Sequence, residues 1–170
     1  MRPIFLLSLG LLAPLTACDG SKEGTSISIN SADDDGNVVA GVDGKTGRVS
    51  VDTPVFKGSL TLPKLHLDAD NFDLNGVHLY PGSTISTMNI DAHRKGEDND
   101  DDGALVLTFD SPADPATVRD WFKTRLSAAG FTLTSAGNGL TGTTDEKKPF
   151  KLDLVPAAGG HAKGTIAING

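Results

Sequence analysis

The sequence predicts a β-rich N-terminal region, built as a β-solenoid-like stack or a small irregular sheet, followed by a C-terminal α+β two-layer domain with one helix on an antiparallel sheet. Three observations predict it. Apolar residues recur in pairs near period two between Thr25 and Asp91, with turn residues between them. A single stretch, 115–129, carries apolar residues at spacings of three and four instead. Charge and aromatic content divide in opposite directions. From Cys18 to Asp102 there are 7 Lys and Arg against 16 Asp and Glu, net −9; from Gly103 onward there are 7 against 6, net +1. The first part holds Phe56, Phe72 and Tyr80, the second Phe109, Trp121, Phe122, Phe131 and Phe150. Aromatics carry the most buried area per residue, so the second part is the better core former.

In the β-rich acidic region, 25–92, short strands are marked by Ile27 and Ile29, Val38 and Val42, Val49 and Val51, Leu60 and Leu62, Leu65 and Leu67, Val77 and Leu79, and Ile85 and Ile90. Pro54, Pro63, Pro81 and the lack of helical spacing argue against a helix there. Asp33-Asp34-Asp35-Gly36 reads as a hairpin turn. Gly44-Lys45-Thr46 reads as a second turn rather than the end of a phosphate loop, because the glycine required five residues earlier is Val39. The apolar pairs follow no strict repeat length, so a stacked solenoid, an irregular sheet and a part-disordered segment all stay open. This stretch resembles the adhesin-like β-rich domains of bacterial envelope proteins.

Residues 93–103 carry no apolar side chain apart from the His93 imidazole. Such a run buries no surface and reads as an acidic linker. Beyond it, in 104–170, Leu105, Leu107 and Phe109 alternate as a strand, and Ser111-Pro112-Ala113 turns the chain. Asp114 is placed to cap a helix that has Pro115 at its first position. Val118, Trp121, Phe122, Leu126 and Ala129 form one apolar stripe, and Gly130 ends the helix. Trp121 and Phe122 are therefore expected in the core rather than against a ligand. Segments 131–134, 139–143, 150–155 and 164–168 alternate as strands, completing an α+β domain. The residues Phe109-Asp110-Ser111-Pro112, Val118-Arg119-Asp120-Trp121-Phe122 and Ala129-Gly130-Phe131 together resemble a small domain of bacterial envelope lipoproteins. That resemblance concerns fold and not activity.

The first eighteen residues carry an address. Arg2 precedes an apolar run from Ile4 to Leu12, too short for a permanent membrane helix of about 20 residues. Residues 1–17 read as a cleaved signal peptide. Leu15-Thr16-Ala17-Cys18 then resembles the lipobox of bacterial lipoproteins. The resemblance implies that the Cys18 thiol receives a diacylglyceryl group, that the chain is cut before Cys18, and that the new amine is acylated with a fatty acid such as palmitate. Residues 18–24 become a lipidated tether. The expected localisation is the bacterial cell envelope, anchored to a membrane by lipid and facing the periplasm or the exterior. Asp19 leaves inner against outer membrane open. Cys18 is the only cysteine, so none remains for a disulfide.

Formal charge over the whole chain is −7, which disfavours nucleic acid as a partner. No Gly-x-Ser-x-Gly elbow occurs and the one cysteine is committed to lipid, so no catalytic residue is assigned. The expected function is a non-enzymatic binding or assembly module, with an envelope protein as a possible type of partner. The alternative is a periplasmic carrier of calcium or a small ligand. Asp98, Asp100, Asp102 and Gly103 match the first half of a calcium loop, D-x-D-x-D-G. The twelfth position is Phe109 rather than glutamate, so an EF-hand is excluded; a weak calcium site helped by Asp91 or Asp110 and a plain solvated linker both stay open. Asn71 to Gly76 has a similar spacing. His66, His78, His93 and His161 lack the spacing of a zinc site and are expected at surface positions.

Overall fold

In a computed structural model, residues 24–33, 36–64, 66–94 and 101–169 are described, the side chains of residues 33, 36, 93, 94, 101 and 102 excepted. The strands in chain order are β1 (Ser26–Asp33), β2 (Gly36–Asp43), β3 (Arg48–Asp52), β4 (Lys57–Thr61), β5 (Leu67–Asp68), β6 (Asp73–Leu74), β7 (Val77–His78), β8 (Thr84–Arg94), β9 (Asp101–Ser111), β10 (Thr132–Ala136), β11 (Gly139–Thr143), β12 (Pro149–Ala157) and β13 (His161–Asn169). One α-helix, α1 (Pro115–Ala128), lies between β9 and β10. Eleven strands form one open mixed sheet in the order β10-β11-β12-β13-β9-β8-β1-β2-β3-β4, and β5 also pairs with β8. Strands β6 and β7 make a separate two-stranded ribbon.

The described residues are thus β-rich with a single α-helix, and they form neither a solenoid nor a two-unit layout. Strands β8 and β9 pair antiparallel from Thr84 opposite Asp110 to Arg94 opposite Asp101. Positions 93, 94 and 101–103, expected in a linker, are therefore ladder positions within two long strands. The physical reason lies on either side of the acidic run: Met88, Ile90 and Ala92 alternate up to it, and Leu105, Leu107 and Phe109 alternate away from it. Pairing these segments satisfies their backbone groups and keeps both apolar sets on one face.

Strand β1 then joins the other side of β8, parallel, with Ile27 beside Met88 and Ile29 beside Ile90. The β1–β2 turn falls where Asp33 and Gly36 pair, as expected. Strands β2, β3 and β4 follow as an antiparallel meander. One cross-strand row consequently runs the width of the sheet: Leu140, Leu152, Ile166, Leu107, Met88, Ile27, Val42, Val49 and Leu60.

Helix α1 covers only one end of that row. Asp114 caps it, its carboxylate accepting hydrogen bonds from the Ala116 and Thr117 amides at 3.0 and 3.1 Å. At the other end Gly130 adopts φ +95°, a conformation that suits glycine, and the Phe131 amide donates back to the Leu126 carbonyl at 3.0 Å. Val118, Phe122 and Leu126 are fully buried under the helix, and Phe122 stands 5.9 Å from Phe109 between ring centres. The Phe109 ring lies across Gly164, its neighbour on β13, where any Cβ would collide with it. At the helix-covered end of the row Leu140 is fully buried, whereas Leu60 at the far end is 54% exposed. Among the described side chains, the buried core includes no residue of β1 to β4. Those four strands form a single-layer wing.

Candidate binding cavity at the root of the wing

The wing is spliced to the body at Thr25. Its buried hydroxyl donates to the Ile85 carbonyl at 2.6 Å and accepts the Leu67 amide at 2.9 Å, so β1 and β5 meet end to end along the same side of β8. Beside it Gly24 donates to the Gly44 carbonyl at 2.9 Å, and the Gly44 amide donates to Ser26 Oγ at 3.0 Å. The Gly44-Lys45-Thr46 turn is therefore docked against the start of β1. Asp43 fixes that turn by accepting the Lys45 and Thr46 amides at 2.8 and 3.2 Å, and these hydrogen bonds hold its carboxyl below the usual carboxylate range.

Opposite the turn, β8 carries a bulge. Ile85 faces Phe109 and Thr87 faces Thr108, leaving Ser86 as the extra residue. The Ser86 hydroxyl donates to Asp110 at 2.7 Å, and Lys163 Nζ lies 3.7 Å from the other Asp110 oxygen. These groups enclose a cavity of about 490 Å3 that also receives Lys45, His66 and Thr84. Its cationic side chains are Lys45 and Lys163, with His66 as a third nitrogen group, against one carboxylate that already has two partners. The arrangement suits a small anion better than a metal cation.

The residues singled out in the sequence are dispersed. Cys18, Asp98 and Asp100 lie outside the described residues; Asp102 occupies a β9 position opposite His93. His66 lines the 490 Å3 cavity, but His78 lies in a second cavity of about 400 Å3 with Asp68, Asp70 and Trp121. There His78 Nδ1 is 3.0 Å from the Phe72 carbonyl oxygen and Nε2 is 3.7 Å from Asp73. The polar side chains of 71–76 stabilise turns: Asn71 accepts the Asp68 amide and Asp73 accepts the Gly76 amide. Among the described residues no three His, Cys, Asp or Glu side chains converge as a metal site. Phe122 is in the core as expected, whereas Trp121 sits at its edge, with Tyr80 5.3 Å away and the Arg125 guanidinium 3.2 Å from the ring centre.

Sequence reasoning missed Thr25, Ser86 and Lys163. Lys45, His66 and Asp110 each stand in a local pattern of their own, and nothing in the sequence groups them. The pairing of β1, β5 and β9 with β8, and of β13 with β9, brings them to one place, with β1 and β8 about sixty residues apart in sequence. The chain matches no protein-family model, no curated protein and no solved structure.

Proposed function

We propose that the mature protein is a lipid-anchored bacterial envelope protein, a non-enzymatic binding or assembly module held to a membrane through Cys18. The lipobox-like residues Leu15 to Cys18 motivate the anchor. One observation carries the reading further: the folded body begins at once after the tether. Gly24 and Thr25 are both buried and hydrogen-bonded into the sheet. Six residue steps separate Cys18 from Gly24, a reach of at most about 20 Å. Such a tether holds the body against the membrane surface rather than on a long stalk. Radiolabelled palmitate tests the anchor. Wild-type protein incorporates label and fractionates with membranes, whereas Cys18→Ala does neither and keeps its signal peptide; label in Cys18→Ala would overturn the proposal.

A second reading, a small-ligand carrier, has the 490 Å3 cavity in its favour. The ligand class its side chains fit is a small carboxylate or phosphate. Calorimetric titration with inorganic phosphate tests it: a binding heat lost in Lys163→Ala supports the carrier, and no heat at millimolar phosphate excludes this anion.

A further inference from the structure

Among the described residues three buried side-chain polar atoms lack a hydrogen-bond partner, Ser83 Oγ, Ser111 Oγ and Trp121 Nε1, and they gather at one place. Ser83 and Trp121 both line the cavity of about 400 Å3 that Asp68 and Asp70 also line. Ser111 follows Asp110, whose partner on β8 is Thr84, the residue after Ser83. A buried polar group without a partner costs stability, so this cluster calls for polar atoms from outside the chain. We propose that the cavity binds a single uncharged sugar ring.

The chemistry of the wall selects that class. The Trp121 N–H is a donor only, so the occupant must bring an acceptor to it. Asp68 and Asp70 are exposed carboxylates, acceptors only, so it must bring donors to them. No lysine or arginine stands among the described lining residues, and a carboxylate or phosphate ligand would meet two like charges with nothing to offset them. A simple ammonium would suit the carboxylates but leave the indole N–H without an acceptor. A sugar hydroxyl donates and accepts at once, and the C–H groups of the ring suit the apolar wall of Ala69, Leu79 and Pro81. Ligand pockets run from about 300 to about 1,000 Å3, so this one, near the small end, fits one ring rather than a chain of them.

Both donors are held in place before any ligand arrives. The Arg125 guanidinium, 3.2 Å from the ring centre, covers one face of the Trp121 indole, and the Tyr80 ring meets it at 67°. The Ser83 amide donates to the Tyr80 carbonyl at 3.0 Å, across a turn in which Gly82 takes φ +78°. Little ordering is left to do on binding, which removes an entropic cost. Binding here depends on neither the lipid anchor nor the anion cavity, with which it shares only Thr84 among the described lining residues.

Trp121 is the only tryptophan of the chain, so its fluorescence reports on this cavity. The test titrates the full chain, kept in a detergent without a sugar headgroup, with D-glucose, D-galactose, D-mannose and N-acetyl-D-glucosamine up to tens of millimolar. At least one sugar is expected to give a saturable change in emission, and ethylamine hydrochloride and sodium phosphate to give none. Ser83→Ala and Asp70→Ala should each weaken that sugar about tenfold, the loss of one hydrogen bond. Both variants should melt with wild type, since Ser83 Oγ has no protein hydrogen bond to lose and Asp70 is exposed. Silence from all the sugars, a saturable response to ethylamine or phosphate in place of them, or unchanged sugar affinity in either variant would overturn the proposal.

Discussion

Thr25 Oγ1 donates to the Ile85 carbonyl at 2.6 Å, with sixty residues of chain between them. With the Leu67 amide donating to the same hydroxyl, this one side chain closes the joint at which β1, β5 and β8 meet. The joint is buried, so its hydrogen bonds have no water to replace them.

Thr25→Val keeps the shape and removes the hydroxyl, leaving the Leu67 amide and the Ile85 carbonyl each without that partner. Stability should fall by about 2 kcal/mol, as expected for buried polar groups left unpaired. Thr25→Ser should recover most of it. Urea unfolding of the three proteins checks this, and equal midpoints would remove Thr25 from its role as the splice.

Gly164 leaves the space that the Phe109 ring fills. Gly164→Ala forces that ring out of place beneath α1 and should cost about 1–3 kcal/mol, the range for overpacked cores. A double variant that also carries Phe109→Leu should show less than additive loss, because the smaller side chain relieves the collision. Additive losses would contradict the contact.

The Ser111 hydroxyl is buried without a protein partner, on the strand position after Asp110. Ser111→Ala removes a desolvated polar group and leaves little empty space. Thermal unfolding should show stability unchanged or raised by up to about 1 kcal/mol. A clear loss would show that the hydroxyl is satisfied.

The Asp114 cap makes the helix start pH-sensitive. Hydrogen bonds from the Thr117 hydroxyl, then from the Thr117 and Ala116 amides, hold its carboxyl below the usual carboxylate range. Because the folded-state pKa is the depressed one, the stabilisation is fully present above the ordinary value of about 3.9 and is lost as pH falls through the folded value. The difference in melting temperature between wild type and Asp114→Ala should therefore be largest near neutrality and shrink below about pH 4. A difference independent of pH would show that the cap does not act through its charge.

Features set within a few residues were legible in the sequence. Asp114, Pro115 and Gly130 delimit α1 because capping is local, and the alternation within 139–143 marks all of β11. Features set by distant pairing were not. The interval between Ile85 and Ile90 is five, which period two cannot place on one face; the Ser86 bulge resolves it, and the same bulge turns Ser86 toward Asp110. The acidic run read as a linker because it has nothing to bury. Its ends are nevertheless ladder positions, since the strands flanking it find each other. The cavity was invisible for a related reason: its lining comes from six separated stretches, 24–26, 45, 66–67, 84–87, 110 and 163, joined by the pairing of β1, β5 and β9 with β8 and of β13 with β9.

The most direct measurement of the central claim, that a membrane lipid on Cys18 holds this body through a short tether, is the intact mass of the protein purified from membranes. The mass predicted is that of residues 18–170 plus a diacylglyceryl group and an amide-linked acyl chain on Cys18. A mature chain that begins at any other residue, or that begins at Cys18 with no lipid mass, would contradict it.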